Sequence, residues 1–332
     1  MSGGIPVPGI LKRARELVDP AIAAALSGLC PELREPAEYH FQSPGKGTRP
    51  ALAILSAEVV GASSETAVPG AVAIELIHDF SLIHDDIIDN DAERRHRPTV
   101  WAKFGIGAGV VVGDALHNLA YEVLLSDPAP PKVKAAKHLG RAVSAMIAGQ
   151  SMDMAFEERS LITLEECLAM EQGKTGALLS YATSVGAILA EAADSVVDEL
   201  AEFGAQMGVA FQAVDDLLGI WGDPERTGKP AGADLRERKK SVPVVIALNS
   251  GTSAADELAE LYARPDWDAG GVDAARALVE AGGGREGTQA LARTHYDLAV
   301  SALDSLATRQ EVVVDAVAEL RSLADFIVGR DF

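Results

Sequence analysis

The chain has 332 residues, with 49 acidic against 29 basic side chains and a net charge of −20, so its average surface repels nucleic acid and anionic lipid. It is 48% apolar and only 5% aromatic, which excludes a disordered chain and, with alanine and leucine plentiful, favours helices over sheets. Cys30 and Cys167 stand far apart in no metal or redox spacing, which excludes a disulfide scaffold and fits two free thiols in a reducing compartment.

The N-terminal segment has no apolar stretch behind a basic start, so no secretory signal is expected and the protein reads as cytoplasmic. Apolar residues recur at helical spacing, predicting helices over roughly 8–28, 48–61, 65–90, 107–126, 131–157, 164–190, 194–221, 239–249, 253–263, 272–282, 286–306 and 310–328. Turn formers occupy the breaks: Ser43-Pro44-Gly45, Ser126-Asp127-Pro128, Gly222-Asp223-Pro224 and Gly282-Gly283-Gly284. Charges interrupt the apolar stretches before they reach the length of a membrane span. There is no long Ser/Pro/Gly linker and no repeat of fixed period. The expectation is therefore an all-α fold, one large helical bundle over 1–332, with some helices left for a subunit interface.

The helix over 65–90 ends on Leu82-Ile83-His84-Asp85-Asp86-Ile87-Ile88-Asp89. Asp85 and Asp89 fall one turn apart on one face, with Asp86 at its edge. Three carboxylates so placed repel one another unless a cation sits among them, and oxygen ligands select a hard cation such as Mg²⁺. Arg94-Arg95-His96-Arg97 follows. A second pair, Asp215-Asp216, ends the apolar run Val209–Val214 on the helix over 194–221, and Asp223 comes two turns later at a turn. Lys229, Arg236, Arg238, Lys239 and Lys240 come after it. A solvated helix end or a surface ion-pair network is the plainer reading of each cluster alone. Together, paired acidic helices trailed by basic groups are what a metal-bound diphosphate requires.

These residues resemble the trans-isoprenyl (polyprenyl) diphosphate synthase family over about residues 44 to 245. Asp85-Asp86-Ile87-Ile88-Asp89 with Arg94-Arg95 resembles the family's first aspartate-rich motif, and Phe211-Gln212-Ala213-Val214-Asp215-Asp216 the start of its second. Gly45-Lys46-Gly47-Thr48-Arg49-Pro50, His78, Lys174-Thr175-Gly176, Gly228-Lys229, Asp234 and Lys239 follow in the family's order. The resemblance implies an isoprenoid-synthase bundle with a central apolar cavity, working as a homodimer without stable membrane insertion. It implies that Asp85, Asp86, Asp89 and Asp215 hold Mg²⁺, three ions with substrate bound, on an allylic diphosphate. Arg94, Lys174, Lys229 and Lys239 would contact that diphosphate; Lys46, Arg49, His78 and Arg95 would bind isopentenyl diphosphate; Thr175 and Gln212 would line the reacting carbons.

The family's second motif usually carries a third aspartate where this chain has Gly219, and His96 stands where glycine is common. Product length is expected to depend on Phe80 and Ser81, just before the first motif; a bulky Phe80 beside a small Ser81 suggests a C20 product, with C15 the neighbouring outcome. Two rival readings share the fold. A class I terpene cyclase finds a superficial match in Asn249, Ser253 and Glu257, although Ser250-Gly251-Thr252 between them reads as a turn. A non-catalytic modulatory subunit finds support in Gly219.

Overall fold

The computed structural model describes residues 6–43, 45–223, 232–267 and 270–329. They group into two compact units: Met1–Val143 with Leu178–Gly204 and Ala302–Leu323, and Ser144–Ala177 with Ala205–Ser301 and Ala324–Phe332.

The chain opens in the first unit with α1 (Val7–Leu26), α2 (Pro31–Phe41), α3 (Thr48–Val59) and α4 (Ser64–Ile88). A two-stranded antiparallel hairpin, β1 (Glu93–Arg94) and β2 (Arg97–Pro98), then leads to α5 (Val100–Phe104) and α6 (Ile106–Leu125). α1 buries Ile10, Ala14, Val18 and Ile22, an amphipathic stripe at three- and four-residue spacing. α4 lies against α1, α3 and α6, and its Ile74, Leu76, Ile77 and Ile83 are buried together with Leu52, Ile54 and Leu55 of α3. Each such side chain contributes about 1.5–3 kcal/mol over leaving it in water. α2 falls in a stretch where no helix is expected from the sequence. Its PELREPAEYHF is polar, and Pro36 lies inside it; packing on α6 supplies what its composition lacks.

α4 and α6 are each long and apolar enough to cross a membrane by length and composition, contrary to the expectation of short interrupted stretches. α4 carries only Glu75 and Asp79 between Glu65 and Asp85, too few to break the run. Most of its apolar stretch is buried by protein.

α7 (Pro130–Glu158), α8 (Leu164–Glu171), α9 (Ala177–Leu189) and α10 (Asp194–Trp221) follow, then α11 (Ala233–Arg236), α12 (Val242–Leu248), α13 (Ser253–Tyr262), α14 (Gly271–Ala281), α15 (Gly284–Ala307) and α16 (Val314–Val328). The core of the second unit joins Ile220, Leu235, Val244, Leu258 and Val279, with a second cluster around Phe156, Ile162, Cys167, Met170 and Val245. Thr163 and Glu166 close a capping box at the start of α8, satisfying two backbone donors that a helix start otherwise leaves bare. The helix expected over 164–190 is not continuous. Gln172–Gly176 widens into a π-type turn between α8 and α9, the kind of bulge that often marks a functional segment. Gly149 of α7 lies so close to this turn that a Cβ there would come within 2.4 Å of Lys174 N.

Candidate active site

The first acidic cluster sits where α4 stops. The Asp89 N–H still donates to Asp85 O at 2.8 Å, so Asp85 and Asp89 stand one turn apart on one face. Asn90 then turns left-handed (φ 57°). The Asp91 N–H donates to Asp86 O at 2.9 Å and the Asn90 N–H to Ile87 O at 3.3 Å, the paired bonds of a Schellman stop. Asp85 is half-buried, Asp89 exposed, and Asp86 only 1% exposed. All three carboxylates occupy the helix C-terminus, where the backbone dipole is negative and disfavours anions. Arg94 offsets part of this, its Nε donating to Asp86 Oδ1 at 2.7 Å. Burial still pushes the Asp86 carboxyl above its ordinary range, with Arg94 opposing it.

Arg95 and His96, at φ 53° and 60°, form the turn between β1 and β2. Two successive left-handed residues are what a type I′ hairpin turn needs, which accounts for glycine being common at position 96; histidine is among the side chains that tolerate the conformation. The turn carries the Arg95 guanidinium back to the segment before α3, where it donates to Ser43 O and lies against Gly45. Arg49, half-buried nearby, has a buried Nε without a hydrogen-bond partner. Burial lowers its pKa, and Glu75 and Asp79 oppose that shift. His78 is pushed well below its usual range by burial and by Arg49, Arg95, His40 and Arg94, so it is neutral at pH 7. Arg49, His78 and Arg95, distant in sequence, thus converge, with exposed Lys46 beside Gly45. A cleft of about 30 Å³ is lined by Tyr39, His40, Ser43, Asp86, Arg94 and Arg95 among others.

Three residues absent from the sequence reading belong to this region. Glu75 is pushed up to about 8 by burial and by Asp79, with Arg49 opposing. His40 Nε2 and Asp79 Oδ1 share a hydrogen bond at 2.9 Å. The sequence held a signal for two of them, since Glu75, His78 and Asp79 at i, i+3 and i+4 interrupt one face of an otherwise apolar helix.

In the second unit, Asp216 is 4% exposed and both its oxygens are engaged. Gln212 Nε2 donates to Oδ1 at 2.9 Å and the Val242 N–H to Oδ2 at 2.8 Å. Thr175 Oγ1 donates to Gln212 Oε1 at 2.9 Å, so one chain of bonds ties the π-type turn, α10 and the start of α12 together. Burial pushes Asp216 up to about 7 against these hydrogen bonds. Asp215 is exposed. Lys174 Nζ donates to Asp153 Oδ2 at 2.6 Å. Glu171, also unremarked in the sequence, is buried and pushed well above the carboxylate range by burial, Asp216 and Asp153. Lys239 pairs with Glu237 at 2.9 Å. Asp223 lies beyond the end of α10 and is exposed, and Lys229 lies outside the described residues.

Phe80 is buried, its ring edge-on to His84 at 4.9 Å and to His117 at 5.2 Å; His117 stands tilted 5.3 Å from Tyr121. Ser81 Oγ donates to His78 O at 2.8 Å. The cyclase-like triad does not share a helix. Asn249 caps the end of α12 and donates to Ile162 O and Val245 O, Gly251 is left-handed, and Ser253 begins α13.

Mg²⁺ typically takes one or two carboxylates and completes its shell with phosphate oxygens and water. Among the described residues no group of three or more His, Cys, Asp or Glu side chains forms a protein-only metal cage. Asp85 with Asp89, and Asp215, offer oxygen alone, and the orphaned Arg49 Nε suits an incoming anion. The donor set fits Mg²⁺ brought in with a diphosphate.

The polyprenyl synthetase family profile matches residues 30–279. The chain is 42% identical to the (2E,6E)-farnesyl diphosphate synthase of Mycobacterium bovis, over 98% of this chain and 93% of that one. It is 40% identical to the geranylgeranyl diphosphate synthase of Mycobacterium tuberculosis, over 91% of each. Among solved structures, the polyprenyl synthetase of Streptomyces coelicolor A3(2) matches with a TM-score of 0.92 and 44% identity, over 97% of this chain and 99% of that one. The chain belongs to the polyprenyl synthetase family, and its all-helical fold is the isoprenoid-synthase fold.

Proposed function

We propose that this family member is a Mg²⁺-dependent trans-prenyltransferase that condenses isopentenyl diphosphate with an allylic diphosphate to a C20 or C15 product, as a cytoplasmic homodimer whose two units form one catalytic domain. The observation that carries this reading is the end of α4. Asp85 and Asp89 stand against the helix dipole next to an arginine hairpin folded onto the Gly45–Arg49 segment.

Asp85, Asp89 and Asp215 would be the direct Mg²⁺ ligands; Asp86, with one oxygen given to Arg94, is the weaker candidate. Mg²⁺, when bound, supplies Lewis-acid stabilisation of the charge that builds on the departing diphosphate. Arg94, Lys174, Lys229 and Lys239 hold that allylic diphosphate. Lys174 is pre-aimed by Asp153, which the substrate would replace as its partner. Arg49, Arg95 and Lys46 hold the diphosphate of the second substrate, and neutral His78 adds a hydrogen bond without competing charge. Thr175 and Gln212, locked to one another, line the reacting carbons. An apolar cavity keeps water from the allylic cation until the second double bond attacks it. Phe80 is read as the cavity floor favouring C20. The homodimer reading draws on α6, whose Ile106, Val110 and Val111 are 58%, 41% and 52% exposed, apolar surface that a second copy would cover.

The test is to incubate the purified chain with Mg²⁺, isopentenyl diphosphate and allylic primers of several lengths, then identify products by mass. Chain-elongated diphosphates are expected. An allylic diphosphate consumed without isopentenyl diphosphate would instead mark a cyclase, and no turnover would mark a modulatory subunit.

A further inference from the structure

The hairpin that carries Arg95 is too small to hold its own shape. It has two residue pairs, Glu93 with Pro98 and Arg94 with Arg97, and even a longer two-stranded hairpin is marginal in water. Its base is closed by the Thr99 N–H, which donates to Ala92 O at 3.0 Å. Strand β1 is tied to α4 through Arg94 and Asp86. Strand β2 is held instead by the last turn of α2.

Tyr39 is the centre of that grip. Its hydroxyl donates to Pro98 O at 2.9 Å. The Arg97 guanidinium lies 4.5 Å from the centre of its ring and the Lys103 ammonium 3.7 Å from it, while Phe104 meets the ring edge-on at 5.4 Å. The π-electrons of the ring attract both cations, so β2 and α5 are drawn to one side chain of α2. Gln42 Oε1 accepts from Arg97 at 3.2 Å, and the Ser43 carbonyl accepts from Arg95 itself.

The gripping turn is itself anchored. His40, next to Tyr39, shares its 2.9 Å hydrogen bond with Asp79 of α4, and the two side chains are only 10% and 9% exposed. Asp79 directly follows His78, so α2 is seated on the turn of α4 that presents His78. The polar composition of α2 thereby has a use, because its last turn faces charged and hydrogen-bonding groups rather than a core.

We propose that Tyr39 is a positioning residue for the second diphosphate site: it braces β2 against α2 and so holds the Arg95 guanidinium beside the Gly45–Arg49 segment. The inference rests on the reading of Arg95 as a group that binds isopentenyl diphosphate. Arg94 has its own support in Asp86, so the brace acts on one of the two arginines.

The test titrates the full chain with isopentenyl diphosphate alone in a calorimeter, in the parent and in an Arg95→Ala background. Arg95→Ala should weaken binding roughly tenfold. In the parent, Tyr39→Ala should weaken it by about the same factor and Tyr39→Phe, which removes only the hydroxyl, roughly fivefold. Once Arg95 is gone, neither should weaken it by more than about twofold. A tyrosine with a merely structural role would lower affinity by one factor in both backgrounds, because the effects of independent sites multiply. Tyr39→Phe keeps the ring and its packing, so the comparison stands even where Tyr39→Ala does not fold. If Arg95→Ala binds isopentenyl diphosphate as the parent does, the reading of the site fails, and this inference with it. If Arg95→Ala is impaired but the Tyr39 variants are not, or if they weaken both backgrounds alike, the inference alone is wrong.

Discussion

Asp85-Asp86 on α4 and Asp215-Asp216 on α10 look alike in the sequence, and the structure divides each pair the same way. The first aspartate faces outward and the second is buried. What differs is the partner of the buried one. Asp86 takes the charged guanidinium of Arg94 from the hairpin, whereas Asp216 takes the neutral amide of Gln212 and the Val242 N–H. A cation compensates a buried carboxylate far better than neutral donors do. Accordingly Asp216 is pushed up to about 7, driven by burial, while Arg94 restrains the rise at Asp86. The first region is built around an ion pair and the second around a hydrogen-bond chain.

The largest expected effect breaks or upholds the likeness of the outward pair. Asp85→Ala and Asp215→Ala should each lower kcat/KM by roughly a thousandfold, the scale of losing a main electrostatic stabiliser, with the circular dichroism spectrum unchanged. Loss at only one of the two positions would end the symmetry. Next, Arg94→Ala strands the buried Asp86 carboxyl, and the partial exposure of Arg94 limits the loss of stability to about 1–2 kcal/mol. Urea unfolding would read it, and an unchanged midpoint would mean that the ion pair contributes nothing. Arg95→Ala should raise KM for isopentenyl diphosphate roughly tenfold, the value of about one charged hydrogen bond, and leave KM for the allylic substrate unchanged. An equal rise in both constants would remove the division of roles between the two arginines.

The last expected effect concerns pH. Glu75 faces Arg49 of α3, Asp79 of its own helix, Asp19 of α1 and Arg95 of the hairpin. Its folded pKa of about 8 lies above the ordinary 4.5, so the native state holds this proton more tightly than the unfolded one. Its contribution to stability is complete below the ordinary value and is lost as pH rises towards 8. Glu75→Gln should therefore melt progressively higher than the parent between pH 5 and pH 8. Parallel melting curves across that range would show that Glu75 is ionised throughout.

The acidic motif at Asp85–Asp89, the arginine pair and the Gln212–Asp216 run were legible because each is a short pattern on one element, and helical spacing fixes which members share a face. α2 was not legible, since a polar segment with an internal proline has no periodicity to display. The π-type turn escaped because one widened turn leaves apolar spacing almost unchanged, and its close neighbour Gly149 lies on α7, remote in the chain. Glu75, Asp79, Asp153 and Glu171 read as ordinary charges until burial turned them into shifted or paired groups. That the Asp234 carboxyl lies against Gly219 was not legible, because it arrives from fifteen residues away on another helix.

By itself the sequence determined the helical architecture, the family, and the oxygen-rich, arginine-trailed chemistry of the two motifs. These are local properties, set by the period of apolar residues and by donor types within a turn or two. Only the tertiary structure decided which aspartate of each pair is outward, that Arg49, His78 and Arg95 converge, and that Asp234 occupies the place of a side chain at Gly219. Those outcomes follow from desolvation and from neighbours remote in the chain, and both exist only once the helices are packed.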